Sequence, residues 1–259
     1  LQGTSGNFAG GLDGQTNNLQ LQFEDTTEIN GSNIFSNIGD LSSTGPVRLG
    51  GDISTSGFQN YGNTTTLFGD TTLNTGGSGN VSFGDTVDGS HDLVIEAGTG
   101  RIDFFGALGA SAPLQSLNLA SASAVQANST LAIDGTGGNG PGVRVGPNVE
   151  NVNIAQPGST ISNASQDGIS FAGGSANSTV GGFTITNSGG SGVSILSGLY
   201  GGTSAFTNLM VTGSAVDGFA ATGANGFHVT NSEFTTNGRH GIHFDRTYSS
   251  HAQNNTIGN

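Results

Sequence analysis

The chain has 259 residues, of which 47 are glycine and only 9 % are charged. An ordinary helical domain does not have this composition, and a disordered chain would not set its 32 % apolar residues in regular alternation. Five arginines and no lysine stand against eighteen acidic residues, for a net charge of −13, so nucleic acid is excluded as a partner because binding it rests on Lys and Arg at phosphates.

The chain has no cysteine, hence no disulfide and no thiolate metal site. No apolar run approaches the ~18 residues of a membrane helix, and no membrane insertion is expected. The chain starts at Leu1 without Met or a signal sequence and reads as a processed product or an excerpt. A Cys-free, Lys-free chain rich in Gly, Asn, Ser and Thr, with a pI near 4.3, suits a secreted, extracellular place on a bacterial cell surface.

In chain order, Leu19-Gln20-Leu21-Gln22-Phe23 alternates with period two and predicts a strand, and Ile34, Phe35 and Ile38 close a first rung. From Gly45 the strand words end in glycine: Val47-Arg48-Leu49-Gly50, Thr66-Leu67-Phe68-Gly69, Val81-Ser82-Phe83-Gly84 and Ile102-Asp103-Phe104-Phe105-Gly106. Glycine is expected at each corner. Val81 to Ile102 is 21 residues, and Leu93 and Ile95 to Leu117 and Leu119 is 24, so two columns advance by about one coil.

The repeat is sharpest from Gly158 onward. Ile161, Ile185, Val211, Phe234 and Ile257 are spaced by 24, 26, 23 and 23 residues. Eight positions after each of the first four stands a glycine-led apolar residue: Ile169, Val193, Phe219 and Ile242. Val180, Phe206, Val229 and Ala252 form a third column, five positions before the last four anchors. Three short strands per turn of chain define an all-β, single-stranded parallel β-helix, a β-solenoid of about eleven coils at ~24 residues per coil. The repeat style changes near residue 135, giving coils of one kind over 1–135 and of another over 136–259, continuous with each other. Pro141, Arg144 and Pro147 fall at this junction, where irregular backbone is expected.

Two resemblances rest on these words. Gly79 to Gly89, Asp92-Leu93-Val94-Ile95 and Ala107-Leu108-Gly109 through Leu119 look like repeats of very large bacterial surface and filamentous adhesins, over about Gly45 to Ser123. From Gly140 onward the coils resemble the right-handed parallel β-helix repeats of pectate-lyase-like proteins. The resemblances imply a right-handed solenoid and a secreted, structural or adhesive role.

Columns can be read as sites because successive rungs lie ~4.8 Å apart. Asn208, Asn231 and Asn254 share one offset, as a buried amide ladder or as residues tolerated at left-handed turns. His228 and His251 share another, while His240 and His243 flank Ile242, with Asp217, Glu233, Arg239, Asp245 and Arg246 near them in the rung map. His228, His240, His243 and Asp245 are the candidates for acid/base or metal chemistry, since imidazole titrates near neutrality and ligates metals. The competing reading is a solvated surface, with Asp217 above His240 as a surface ion pair and the histidines on different edges.

A pectin-degrading enzyme would need paired carboxylates or a calcium-holding acidic cluster with a base. The chain has no Asp-Asp pair and no lysine, and its Glu24-Asp25 pair is expected to point to opposite faces. Polysaccharide binding or cleavage stays as the alternative to a structural or adhesive role. Ice binding is a minor alternative, on Thr160/Ser162, Thr184/Thr186 and Thr256, in a row interrupted by Met210 and Glu233. No cofactor is called for; calcium could bind at a turn such as Asp85-Thr86-Val87-Asp88-Gly89, although the usual calcium-loop signatures are missing. Open strand edges at both ends predict partners that cover them, either flanking coils or other copies in a head-to-tail filament, with carbohydrate or a host or neighbouring cell as adhesion target.

Overall fold

The protein is described from a computed structural model, which covers residues 1–8, 12–30, 35–173, 175–197 and 203–258. Short strands succeed one another, with no helix among the described residues. Most pair in parallel with the strand one coil before and one coil after them, and eleven successive strands make up the main path of one of the two sheets. This is the expected β-solenoid of about eleven coils.

The three columns are in register. On the first face Ile169, Val193, Phe219 and Ile242 align. On the second, Val180, Phe206, Val229 and Ala252 do so. Ile161, Ile185, Val211, Phe234 and Ile257 align on the third. The second and third faces belong to one sheet because some strands turn the corner unbroken. Thr179–Thr186 bends at Gly182, whose φ is +70°, so that its first half pairs with Ser204–Thr207 and its second with Met210–Thr212.

The glycine ahead of each first-face residue has a packing cause. A β-carbon on Gly168 would stand 2.5 Å from Cγ2 of Ile185, and one on Gly241 would stand 2.5 Å from Cγ2 of Ile257. The third-face anchor packs on bare backbone there, so the two periodic words of the sequence are halves of one contact.

Inward positions form one core from Leu19 to Phe234. In the N-terminal half it contains a stack in register: the rings of Tyr61 and Phe83, and of Phe83 and Phe104, have centroids 5.3 Å apart. In the C-terminal half Phe206, Phe219, Phe227, Phe234 and Phe244 meet mostly edge to face. Burying each ring fully contributes about 2 to 3 kcal/mol. The hydroxyl of Tyr61 donates to Oε1 of the buried Gln59, whose Nε2 donates to the carbonyls of Ile53 and Asn74, so these buried polar groups are satisfied. Burial pushes the Tyr61 phenol far above its ordinary range.

Several expectations need correction. The strand words do not end at Gly50 and Gly69: the strands Val47–Thr55 and Thr65–Asn74 turn the corner there unbroken, as at Gly182. The first pairs with Thr27–Asn30 and then Phe35–Ile38, the second with Val87–Asp88 and then Asp92–Glu96, with a register shift between Leu67 and Thr71. Of the three junction residues only Arg144 lies in a regular ladder, paired with Asn118 on one side and Ser170 on the other. Pro147 stands at a register shift between Val145 and Asn148 within the strand Val143–Val149, and Pro141 lies outside the strands, as expected of irregular backbone. The sheets thus run through the 135/136 junction without interruption. In the first rung, Ile38 is buried and Phe35–Ile38 is a strand, whereas Ile34 falls outside the described residues.

The amide-ladder question is settled by backbone geometry. Asn208, Asn231 and Asn254 are exposed, with φ of +54°, +52° and +56°, so they are left-handed turn residues. A short amide run does form at another corner, where Asn187 donates to Asn163 and Asn163 to Asp134. Hydrogen bonds from Thr136 and Asn163 hold the Asp134 carboxyl below the usual range.

Candidate functional site

The column one residue ahead of the glycines reads Pro141, Asp167, Ser191, Asp217 and His240 on successive coils. Backbone bonds stack them: the N–H of Gly168 donates to the Ser191 carbonyl, that of Gly192 to Asp217, and that of Gly218 to His240. His243, two residues beyond Gly241, points outward on the strand Ile242–Asp245 and pairs with Ala220.

Asp217 is the centre of this arrangement. Its side chain is 3 % exposed, which overturns the expectation of a surface ion pair. Oδ1 accepts from the backbone N–H of His240 at 3.1 Å and lies 2.8 Å from His240 Nδ1. Oδ2 lies 3.5 Å from His243 Nδ1, and the Arg239 Nε is 3.7 Å from Oδ1. The two imidazole rings are 4.9 Å apart and partly exposed.

The histidines divide into two pairs on different faces, in line with the expectation of separate edges. His228 and His251 align on the second face, with centroids 5.1 Å apart. Asp245 is not drawn into the His240 and His243 group: its carboxylate meets Arg246 at 3.2 Å. Glu233 lies on the third face, in register with Met210 and Thr256. The acid that joins the group is Asp217, and the signal for it is the pre-glycine column that it shares with His240.

Two coils earlier in this column Asp167 is partly buried. Burial raises its carboxyl above the usual range, while hydrogen bonds from the Ser191 N–H and from the Ser194 and Ser170 hydroxyls offset part of the rise. Further along the same face is a hollow of about 500 Å³, with Arg144 facing Asp70, Asp92, Gln115, Asn118 and Asn139. In the proposed calcium turn, Asp88 Oδ1 accepts from the backbone N–H groups of Ser111 and Ala112, and Asp85 Oδ1 from that of Thr86. Glu24 and Asp25 are exposed in a bend. The threonine row is in register, interrupted by Met210 and Glu233, whereas its neighbour runs Ser162, Thr186, Thr212 and Thr235.

Stacked parallel strands, three faces to a coil and glycine-floored corners define a parallel β-helix. Residues 120–259, more than half of the chain, match the family described as right handed beta helix region, and the chain belongs to that family. The coil is accordingly right-handed. No curated protein and no solved structure matches the chain.

Proposed function

We propose that this β-helix is a structural and adhesive rod of an extracellular bacterial surface protein. The observation that carries the reading is the single core beneath all coils, which makes a stiff body ~50 Å long out of a chain with few charges. Its outward faces repeat short polar side chains in ladders, a surface suited to multivalent, shallow contact. The composition, acidic and free of Cys and Lys, supports the extracellular placement.

The partners we propose are further solenoid coils or second copies stacked on the rung of Ile242, Phe244 and Ile257, whose apolar side chains are half-buried or, for Ile257, 58 % exposed. Electron microscopy and sedimentation of the purified chain, with binding to a panel of glycans and bacterial cells, test the reading. End-to-end or surface association without turnover is expected; cleavage of a polysaccharide would overturn it.

A second reading, polysaccharide binding, has its own observation in the hollow at Arg144. Its guanidinium, amide and carboxylate groups match the hydroxyls and acidic groups of sugars. Arg144→Ala should then weaken glycan retention and leave end-to-end association intact.

A further inference from the structure

We propose that Asp217, His240 and His243 hold a first-row divalent transition-metal ion of the zinc(II) type, joining the coil of Phe219 to the coil of Ile242. One Asp carboxylate oxygen and one nitrogen from each imidazole all lie within 4.8 Å of one another. At ligand distances of about 2.0 to 2.1 Å, donors around one such ion stand roughly 3.0 to 3.4 Å apart. His240 Nδ1 is 2.8 Å from Oδ1 and His243 Nδ1 3.5 Å from Oδ2 of the same carboxylate, so each ring already faces one of its oxygens, and rotation of the half-exposed rings brings the three donors from within 4.8 Å of one another onto one ion.

The charges favour it as well. Asp217 is a carboxylate withdrawn from water, and a buried anion requires positive partners. Its nearest formal cation is the guanidinium of Arg239, 3.7 Å away on a side chain 54 % exposed. A dication between Asp217 and two neutral imidazoles compensates the anion directly, and the exposed edges of the rings give it a path in from solvent. Two nitrogens and one oxygen suit zinc and its neighbours, whereas calcium takes 6 to 8 oxygens. Three protein ligands leave positions open for water. Because Asp217 belongs to one coil and both histidines to the next, the ion would act as a staple across the rungs.

The test uses the 259-residue chain, prepared without a polyhistidine tag. Zinc(II) is titrated calorimetrically, cobalt(II) is followed by its visible absorption, and hydrogen exchange is read over Ile242–Asp245. One equivalent of zinc should bind, calcium should not compete, and exchange over that strand should slow. His243→Ala and Asp217→Asn should each lower zinc affinity at least tenfold, and His228→Ala with His251→Ala should leave it unchanged. Arg239→Gln should tighten binding, because it removes the nearest competing cation. Should Asp217→Asn fail to fold, His243→Ala, at a ring 37 % exposed, keeps the test decisive. Absence of zinc binding, or binding indifferent to His243→Ala in a folded chain, would overturn the proposal.

Discussion

Gly192 lies so close under Val211 that a β-carbon placed on it would stand 2.1 Å from the valine Cγ1. The carbonyl oxygen of Gly218, 2.7 Å from the same point, blocks the other way out. Val211 is fully buried and cannot retreat. Gly192→Ala should therefore cost about 1 to 3 kcal/mol by overpacking. Gly140, with nothing within 4 Å of its would-be β-carbon, is the control, and Gly140→Ala should stay within ~0.5 kcal/mol in urea unfolding.

Phe234 is fully buried and meets Phe219 edge to face at a centroid distance of 6.4 Å. Phe234→Ala should cost about 3 to 5 kcal/mol. Thr235, one position on, faces outward, and Thr235→Ala should cost under ~0.5 kcal/mol. Equal shifts of the unfolding midpoint would mean that the assignment of inward and outward faces fails.

Asn231 separates turn from ladder by mutation. Since its φ is +52° and its side chain is exposed, Asn231→Gly should change stability by less than ~0.5 kcal/mol, whereas Asn231→Val should cost about 1 to 2. A load-sharing amide would suffer about equally from both replacements, which thermal unfolding would reveal.

The fold was legible because its causes are periodic. A buried anchor every 23 to 26 residues and a glycine seven positions after it reflect one repeated contact, visible in the spacing of Ile161, Gly168 and Ile185. The site was legible only in part. Stacking of Asp217 on His240 follows from equal offsets, but burial of Asp217 does not, because it depends on the neighbouring Arg239 and His243 closing over one carboxylate. Asp245 looked equivalent in sequence, and a local pairing with Arg246 takes it out of the group. Gly50 and Gly69 marked corners correctly but not strand ends, because backbone pairing with the neighbouring coils continues on both sides of the turn as one bulged strand.

Asp167 gives the last prediction, in pH. Burial raises its folded-state carboxyl above its unfolded value, so between those two values the folded chain binds more protons than the unfolded one. Stability contributed by this group must then fall as pH rises through that window, and the cost of ionising it is fully present above the folded value. Asp167→Asn removes the charge while its amide oxygen can still accept from the Ser191 N–H, which donates to the aspartate at 2.8 Å. At pH 7 the variant should be at least as resistant to urea as the parent chain. At about pH 3.5, where both carboxyls are largely protonated, the two should converge. A variant less stable than the parent chain at pH 7, with the gap closing in acid, would show that the ionised carboxylate stabilises this corner, contrary to the burial argument.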